Sequence, residues 1–240
     1  MEKVSILNLI TAAKNASPFD VNIAFDAGYD KVIPYTNVGL DEITGLVQDA
    51  IFSRSPSGIK RQSIFIGGRD INLAMDMLDA AKKTMFPPFE VSMLVDPSGA
   101  FTTAAAMLAL VEKYLKQSFG GYSENGLNSL KVSIFGATGP VAGCAAVIAA
   151  RSGADVELVA HRAMPDFLAT VELYNKRYNV NLGCVDGSTD ELKKKILHYT
   201  EVALCSAPAG VRVLTLEQMA GSPTLKIIAD VNAVPPTGAE

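Results

Sequence analysis

The chain has 240 residues, 49% of them hydrophobic and 19% charged, with a formal net charge of −4. That is enough apolar material for one or two buried cores and too little charge for disorder. The acidic balance offers no basic face to nucleic acid, and no apolar run approaches the ~20 residues that span a bilayer, so neither nucleic acid nor membrane is an expected partner.

The first sixteen residues, MEKVSILNLITAAKNA, have the outline of a short signal peptide. Asn8 and Thr11 interrupt the apolar run and Glu2 dilutes the positive end, so the expected location is the cytoplasm. From there, short β-branched runs alternate with longer helical patterns, the signature of a parallel sheet with crossover helices. In the N-terminal half, strands are expected at 4–10, 31–36, 62–68 and 90–96, with helices near 18–27, 40–53, 70–85 and 99–118. Ser17-Pro18-Phe19-Asp20 opens the first helix and reads as an N-cap, a proline at the first helical position and a capping-box-like carboxylate. Ile66-Gly67-Gly68-Arg69 ends the third strand, its glycines serving the turn and Arg69 meeting solvent. After the fourth strand, Asp96, Ser98, Thr102 and Thr103 gather polar groups ahead of an alanine-rich helix that needs none of them, which marks them as candidate substrate contacts.

The segment 119–129, rich in Gly, Asn and Ser, has no hydrophobic period and is the expected domain boundary, giving domains 1–120 and 121–240. Strands then recur at 131–137, 155–161, 180–186, 201–207 and 225–231, with helices near 139–152, 164–178, 188–200 and 215–221. The run Gly136-Ala137-Thr138-Gly139-Pro140-Val141-Ala142 has the spacing G-x-x-G-x-x-A between a strand and a helix. Small residues there allow a tight turn, close approach of backbone to a pyrophosphate and close packing of helix on sheet, while the helix N-terminus faces the anion. The next strand ends in Ala160-His161-Arg162, where an NAD-preferring site commonly carries an acid. A guanidinium grips a 2′-phosphate that a carboxylate would repel, so the expected cofactor is NADP, with NAD tolerated. Ser206-Ala207-Pro208 and Asn232 lie at later strand ends and complete the expected cofactor pocket.

Other chemistry is missing. No Tyr-x-x-x-Lys pair, G-x-S-x-G elbow or G-x-x-x-x-G-K loop is present. Neither of the two histidines has a second histidine or a cysteine three or four residues away, so no metal is expected. The three cysteines lack metal-like spacing and read as buried thiols. No side chain stands out as catalytic, and the chemistry is expected to ask little of acids and bases.

The stretches SPFDVNIAFDAG, VIPYTNV, DAIFSR, IFIGG, PPFEVSMLVDPSGAFTTAAAM, the glycine turn and DVNAVPPTG together resemble the methylene-tetrahydromethanopterin dehydrogenases of methylotrophic bacteria. The resemblance covers essentially the whole chain. It implies an N-terminal α/β domain that binds the pterin carrier, a Rossmann-type NAD(P)-binding domain after it, and an active site in the cleft between them. It also implies hydride transfer from a tetrahydromethanopterin-type carrier to NAD(P) in one-carbon (formaldehyde) oxidation, in a homo-oligomer. On this reading Ser17, Phe19 and Asp20 join Asp96, Ser98, Thr102 and Thr103 on the substrate side. Family members continue past the proline pair with a glycine-rich segment and a helix carrying a lysine near the pterin, whereas this sequence reads Thr237-Gly238-Ala239-Glu240 and stops. Either the sequence is a fragment or the protein has lost that element; the expected cofactor pocket survives in both cases, and the pterin side is left open. Three other readings stay open: a methylene-tetrahydrofolate dehydrogenase, a shikimate-type NADP dehydrogenase, and a non-catalytic NADP-binding protein.

Overall fold

The structure, a computed structural model, describes residues 4–119, 126–161 and 164–240. It divides into two compact α/β units, residues 1–99 and 100–240.

The first unit alternates β1 (Ile6–Ile10), α1 (Pro18–Asp26), β2 (Lys31–Tyr35), α2 (Ile43–Phe52), α3 (Pro56–Ile59), β3 (Gln62–Ile66), α4 (Ile71–Thr84) and β4 (Ser92–Val95). All strands run parallel in the order β2-β1-β3-β4. Isoleucines of β1 and β3 (Ile10, Ile64, Ile66) meet Ile43, Val47 and Ile51 of α2 and Ala74, Met77 and Ala81 of α4 in one apolar core. The 3–4 spacing of those helical residues turns one stripe of each helix inward.

The second unit runs α5 (Ala100–Phe119), β5 (Lys131–Phe135), α6 (Pro140–Arg151), β6 (Asp155–Ala160), α7 (Met164–Tyr178), β7 (Gly183–Asp186), α8 (Asp190–Tyr199), β8 (Val202–Cys205), α9 (Leu216–Ala220) and β9 (Ile227–Asp230). Its sheet is parallel throughout, in the order β7-β6-β5-β8-β9. Numbered within the unit this is 3-2-1-4-5, the doubly wound order of dinucleotide-binding folds. A polar cluster is buried near the amino ends of β5 and β6: Glu157, 4% exposed, accepts from Ser133 Oγ at 2.7 Å and pairs with Lys131 Nζ at 3.1 Å. Burial works against the Lys131 charge, but Glu157 and then Asp155 overcome it and hold the ammonium above its ordinary pKa. All three cysteines belong to this unit and none forms a disulfide; Cys144 and Cys205 are buried, Cys184 half-buried. Desolvation, with a smaller push from Asp230, raises the Cys205 thiol to about 12.

The expected boundary at 120 differs from the division found after Gly99. The cause is α5. Its buried stripe (Ala104, Met107, Leu108, Val111, Leu115) is apolar and small enough for the helix to pack along α6 and against β9, so it joins the second unit's core. Among the described residues no helix is long and apolar enough to cross a membrane.

Candidate active site

In open α/β sheets ligands collect beyond the carboxyl ends of the strands where the winding reverses. In the first unit that point lies between β1 and β3, which end at Ile10 and Ile66. A cavity of about 470 Å³ opens there. Ser17, Phe19, Asp20 and Ser98, four of the expected substrate residues, line it. Ser17 does hold the N-cap position of α1 with Pro18 at the first helical turn, but its hydroxyl makes no capping bond. The capping-box reading is therefore corrected. Asp20 is buried at 7% exposure and turned toward the β3 turn, because a Cβ at Gly67 would stand only 2.7 Å from its Oδ2. Burial, and then the nearby Asp96, push the Asp20 carboxyl above the usual carboxylate range. Asp96 is itself buried directly after β4. Ser98 adopts a left-handed backbone (φ 58°), uncommon for a residue other than glycine, and donates from Oγ to the Gly68 carbonyl at 2.9 Å. Phe19 is 63% exposed, an aromatic ring open to a flat ligand. Thr102 and Thr103 do not line this cavity; they are exposed positions in the first turn of α5, in the second unit.

In the second unit the winding reverses between β5 and β8. The glycine turn leaves β5 there, opposite the end of β8. Gly136 has φ 72°, and a Cβ on it would sit 2.5 Å from the Ala207 backbone nitrogen. Only glycine lets these two strand ends approach so closely. Gly139 is the N-cap of α6 and Pro140 its first residue, with no side chain capping the helix. The helix N–H groups and the positive end of its dipole are thus presented as an anion site. Ala142 is fully buried, and Gly143 lets α7 approach, since a Cβ there would stand 2.6 Å from Tyr174 Oη. Ala137 is buried, Thr138 exposed and Val141 half-buried along the same turn. Ser206, Ala207 and Pro208 leave β8 beside it, Ser206 Oγ donating to the Phe135 carbonyl at 3.3 Å. These residues fit a dinucleotide pyrophosphate.

One detail differs from expectation. Asn232 is not presented to a ligand: its Nδ2 donates to the Pro236 carbonyl and its Oδ1 accepts from Val234 N, both at 3.0 Å. It braces the DVNAVPPTG turn from inside. At the other side of the sheet, His161 is exposed directly after β6, and Arg162 lies outside the described residues. Beside that strand end stands Asp186, the register partner of Ala160. Ser188 bonds its carboxylate, donating from N to Oδ1 at 2.9 Å, and holds it below the usual range.

A relative from Methylorubrum extorquens (strain AM1), named NAD(P)-dependent methylenetetrahydromethanopterin dehydrogenase, is 44% identical over 98% of this chain and 77% of its own length. The chain belongs to the methylenetetrahydromethanopterin dehydrogenase family. The family description "Methylene-tetrahydromethanopterin dehydrogenase, N-terminal" matches residues 18–98, within the first unit. A second protein of the same organism, named Bifunctional protein MdtA, is 31% identical over 92% of this chain and 74% of its own. Among solved structures, ornithine transcarbamoylase from Giardia lamblia superposes with a TM-score of 0.56 at 12% identity, covering 98% of this chain and 76% of that one. The anabolic ornithine carbamoyltransferase of Campylobacter jejuni gives 0.51 at 8% identity, over 99% and 78%. These two likenesses concern the fold alone.

Within this family member, two cavity residues had no motif to announce them, Thr11 and Asn15, while Gly68 and Arg69 stood in the turn that ends β3 and were read there as turn and solvent positions. Thr11 directly follows β1, is 2% exposed and turns its Oγ1 to accept from Ala13 N. Arg69 is exposed, as expected, and also opens onto the cavity from the β3 turn. The position of each just past a strand end was the signal available.

Proposed function

We propose that the chain is an NAD(P)-dependent methylenetetrahydromethanopterin dehydrogenase, passing hydride from the methylene carrier to the nicotinamide and leaving the methenyl form. The observation that carries this reading is the 44% identity, spread over 98% of the chain, to the relative of that name. The first-unit cavity supports a pterin subsite. Asp20 can accept from the ring N–H groups, Ser17 and Ser98 contribute polar contacts, and Phe19 gives a flat apolar face. In the second unit, Gly136 to Val141 and the α6 N-terminus would hold the pyrophosphate, with Ser206 to Pro208 alongside. Asn232 and Thr102–Thr103 act at most indirectly in this scheme, by shaping backbone.

When bound, NAD(P) supplies the hydride acceptor. The methylene C–H bond breaks with its electron pair, and the two flanking nitrogens of the carrier share the resulting positive charge. No proton moves, so the chain's task is to orient the carrier and exclude water. Orientation of two bound reactants contributes on the order of 7–11 kcal/mol. His161 and Arg162 favour the 2′-phosphate of NADP, with NAD also accepted.

The test is to mix the protein with NADP and the methylene carrier. Reduced cofactor and methenyl pterin should appear together, in equal amounts. Binding of NADP by calorimetry without turnover would instead support the non-catalytic reading, and a strong preference for the folate carrier would move the chain to the folate-linked reading. We place the enzyme in the cytoplasm as a homo-oligomer. Leu110 and Tyr114, 51% and 52% exposed and one turn apart on α5, offer apolar surface to a second copy, which light scattering would detect.

A further inference from the structure

The first unit holds another cavity, of about 440 Å³, that the dehydrogenase reaction does not use. It lies on the face of the sheet, away from the strand-end cavity of Asp20. Alternate residues of β1 (Ile6, Asn8, Ile10) form its floor, Ile33 and Tyr35 of β2 one wall, and Leu46 of α2 the other. Asn8 sits in the middle of β1, between two neighbouring strands, at 8% exposure. Its Nδ2 is buried and has no hydrogen-bond partner. Folded proteins rarely leave a buried donor unpaired, because it has lost its water and gained nothing. Of the other polar side chains around the cavity, Gln62 Nε2 and Ser53 Oγ donate to the Ala50 carbonyl and Arg54 to those of Val4 and Gly58, while Asp49 is exposed. The strand itself favours aliphatic residues, with Leu7, Leu9 and Ile10 all buried. An asparagine at this position is a local inconsistency that a ligand would resolve.

We propose that this cavity is a second binding site, for a flat nitrogen heterocycle whose edge carries a ring-nitrogen or carbonyl acceptor beside a donor. A side-chain amide pairs with such an edge through both of its atoms, as asparagine does with adenine. The isoleucine walls and the Tyr35 ring suit the apolar faces of the heterocycle. The volume falls within the range of small-molecule pockets, whose pattern of apolar walls with a few placed polar groups it shares. Free purines and free pterins both present this edge. The inference is independent of the reading given above for the dehydrogenase, since neither Asp20 nor the glycine turn borders the cavity.

The test is calorimetric titration of the full chain with adenine and, separately, with 6-methylpterin, in saturating NADP so that the dinucleotide site is filled. At least one should bind, and the stronger of the two identifies the source. Asn8→Leu should weaken that binding at least tenfold while raising the melting temperature and leaving NADP affinity unchanged. Ile33→Trp, which fills the cavity from the exposed edge strand, should abolish binding and covers the case in which Asn8→Leu fails to fold. The proposal is overturned if neither heterocycle binds the wild-type protein, if binding survives both substitutions, or if it is lost in Asp20→Asn with Asn8 intact.

Discussion

A carboxyl that has lost its water and faces a second carboxyl is an uncomfortable neighbour, and Asp20 is in that position. Its folded-state pKa lies above that of the unfolded chain, so the folded state binds the proton more tightly. The penalty is absent in acid, develops as pH rises from the unfolded-state value through the folded-state value, and is complete above it. Asp20→Asn is therefore expected to raise the melting temperature at pH 7, with the gain vanishing below about pH 4. The same substitution should lower kcat/KM for the pterin carrier on the order of 10- to 100-fold, the scale of a lost hydrogen bond to a charged acceptor, while NADP affinity holds. Scanning calorimetry across pH and steady-state kinetics give both answers. Asp186 poses the opposite case. It is exposed, held ionised by Ser188, and sits across from the β6 end where a 2′-phosphate would approach. Asp186→Asn should raise the ratio of NADP to NAD efficiency by roughly 2- to 5-fold, as for one exposed charge pair; an unchanged ratio would remove Asp186 from cofactor selection. No motif flagged Asp186, because only the parallel register of β6 and β7 brings it beside Ala160.

Elements were the most legible part of the sequence. Every strand from β1 to β9 was expected within a few residues, because each is a short apolar or β-branched run and most are closed by Gly, Asp or Asn, and the alanine-rich α5 was placed almost to the residue. The short α3 escaped, since four residues carry no helical period. Local reading also misjudged residues whose partners are distant or irregular. Ser17 holds the N-cap position before Pro18, as read, but its hydroxyl makes no capping bond and Asp20 turns instead toward Gly67, 47 positions away. Asn232 looked like a ligand contact because nothing in DVNAVPPTG announces that its amide holds the turn together. Between β5 and β6, Lys131 and Glu157 form a pair that spacing does not announce. Lys131→Met should leave the Glu157 charge without its cation and cost about 3 kcal/mol in urea unfolding, whereas Lys131→Met/Glu157→Gln together should recover most of it. Equal losses in the single and double variants would mean that the pair matters through packing.

For the whole molecule, the fold class followed from alternation of strand and helix, whereas the order of strands and the end of the first unit did not. The break was sought where the sequence turns polar, at 119–129, but a continuous α5 belongs by packing to the unit that follows it. The two units also give the proposed reaction a spatial signature. In hydrogen exchange, NADP is expected to protect amides at 136–139, 141, 206 and 207, and the pterin carrier those at 11–17, 19–20 and 67–69. Protection by the carrier confined to the second unit would overturn the assignment of the first-unit cavity. Each ligand should also raise the melting temperature by mass action, about 2.7 kcal/mol of stabilisation at a hundred times its dissociation constant.

The placement of sulfur gives the molecule a built-in clock. Residues 1–99 contain no cysteine, while Cys144 and Cys205 are shut inside the other half. A maleimide added to native protein should modify Cys184 first and reach the other two only as residues 100–240 open. The appearance of doubly and triply labelled chains by mass spectrometry would then time the unfolding of one half, with the other half silent throughout.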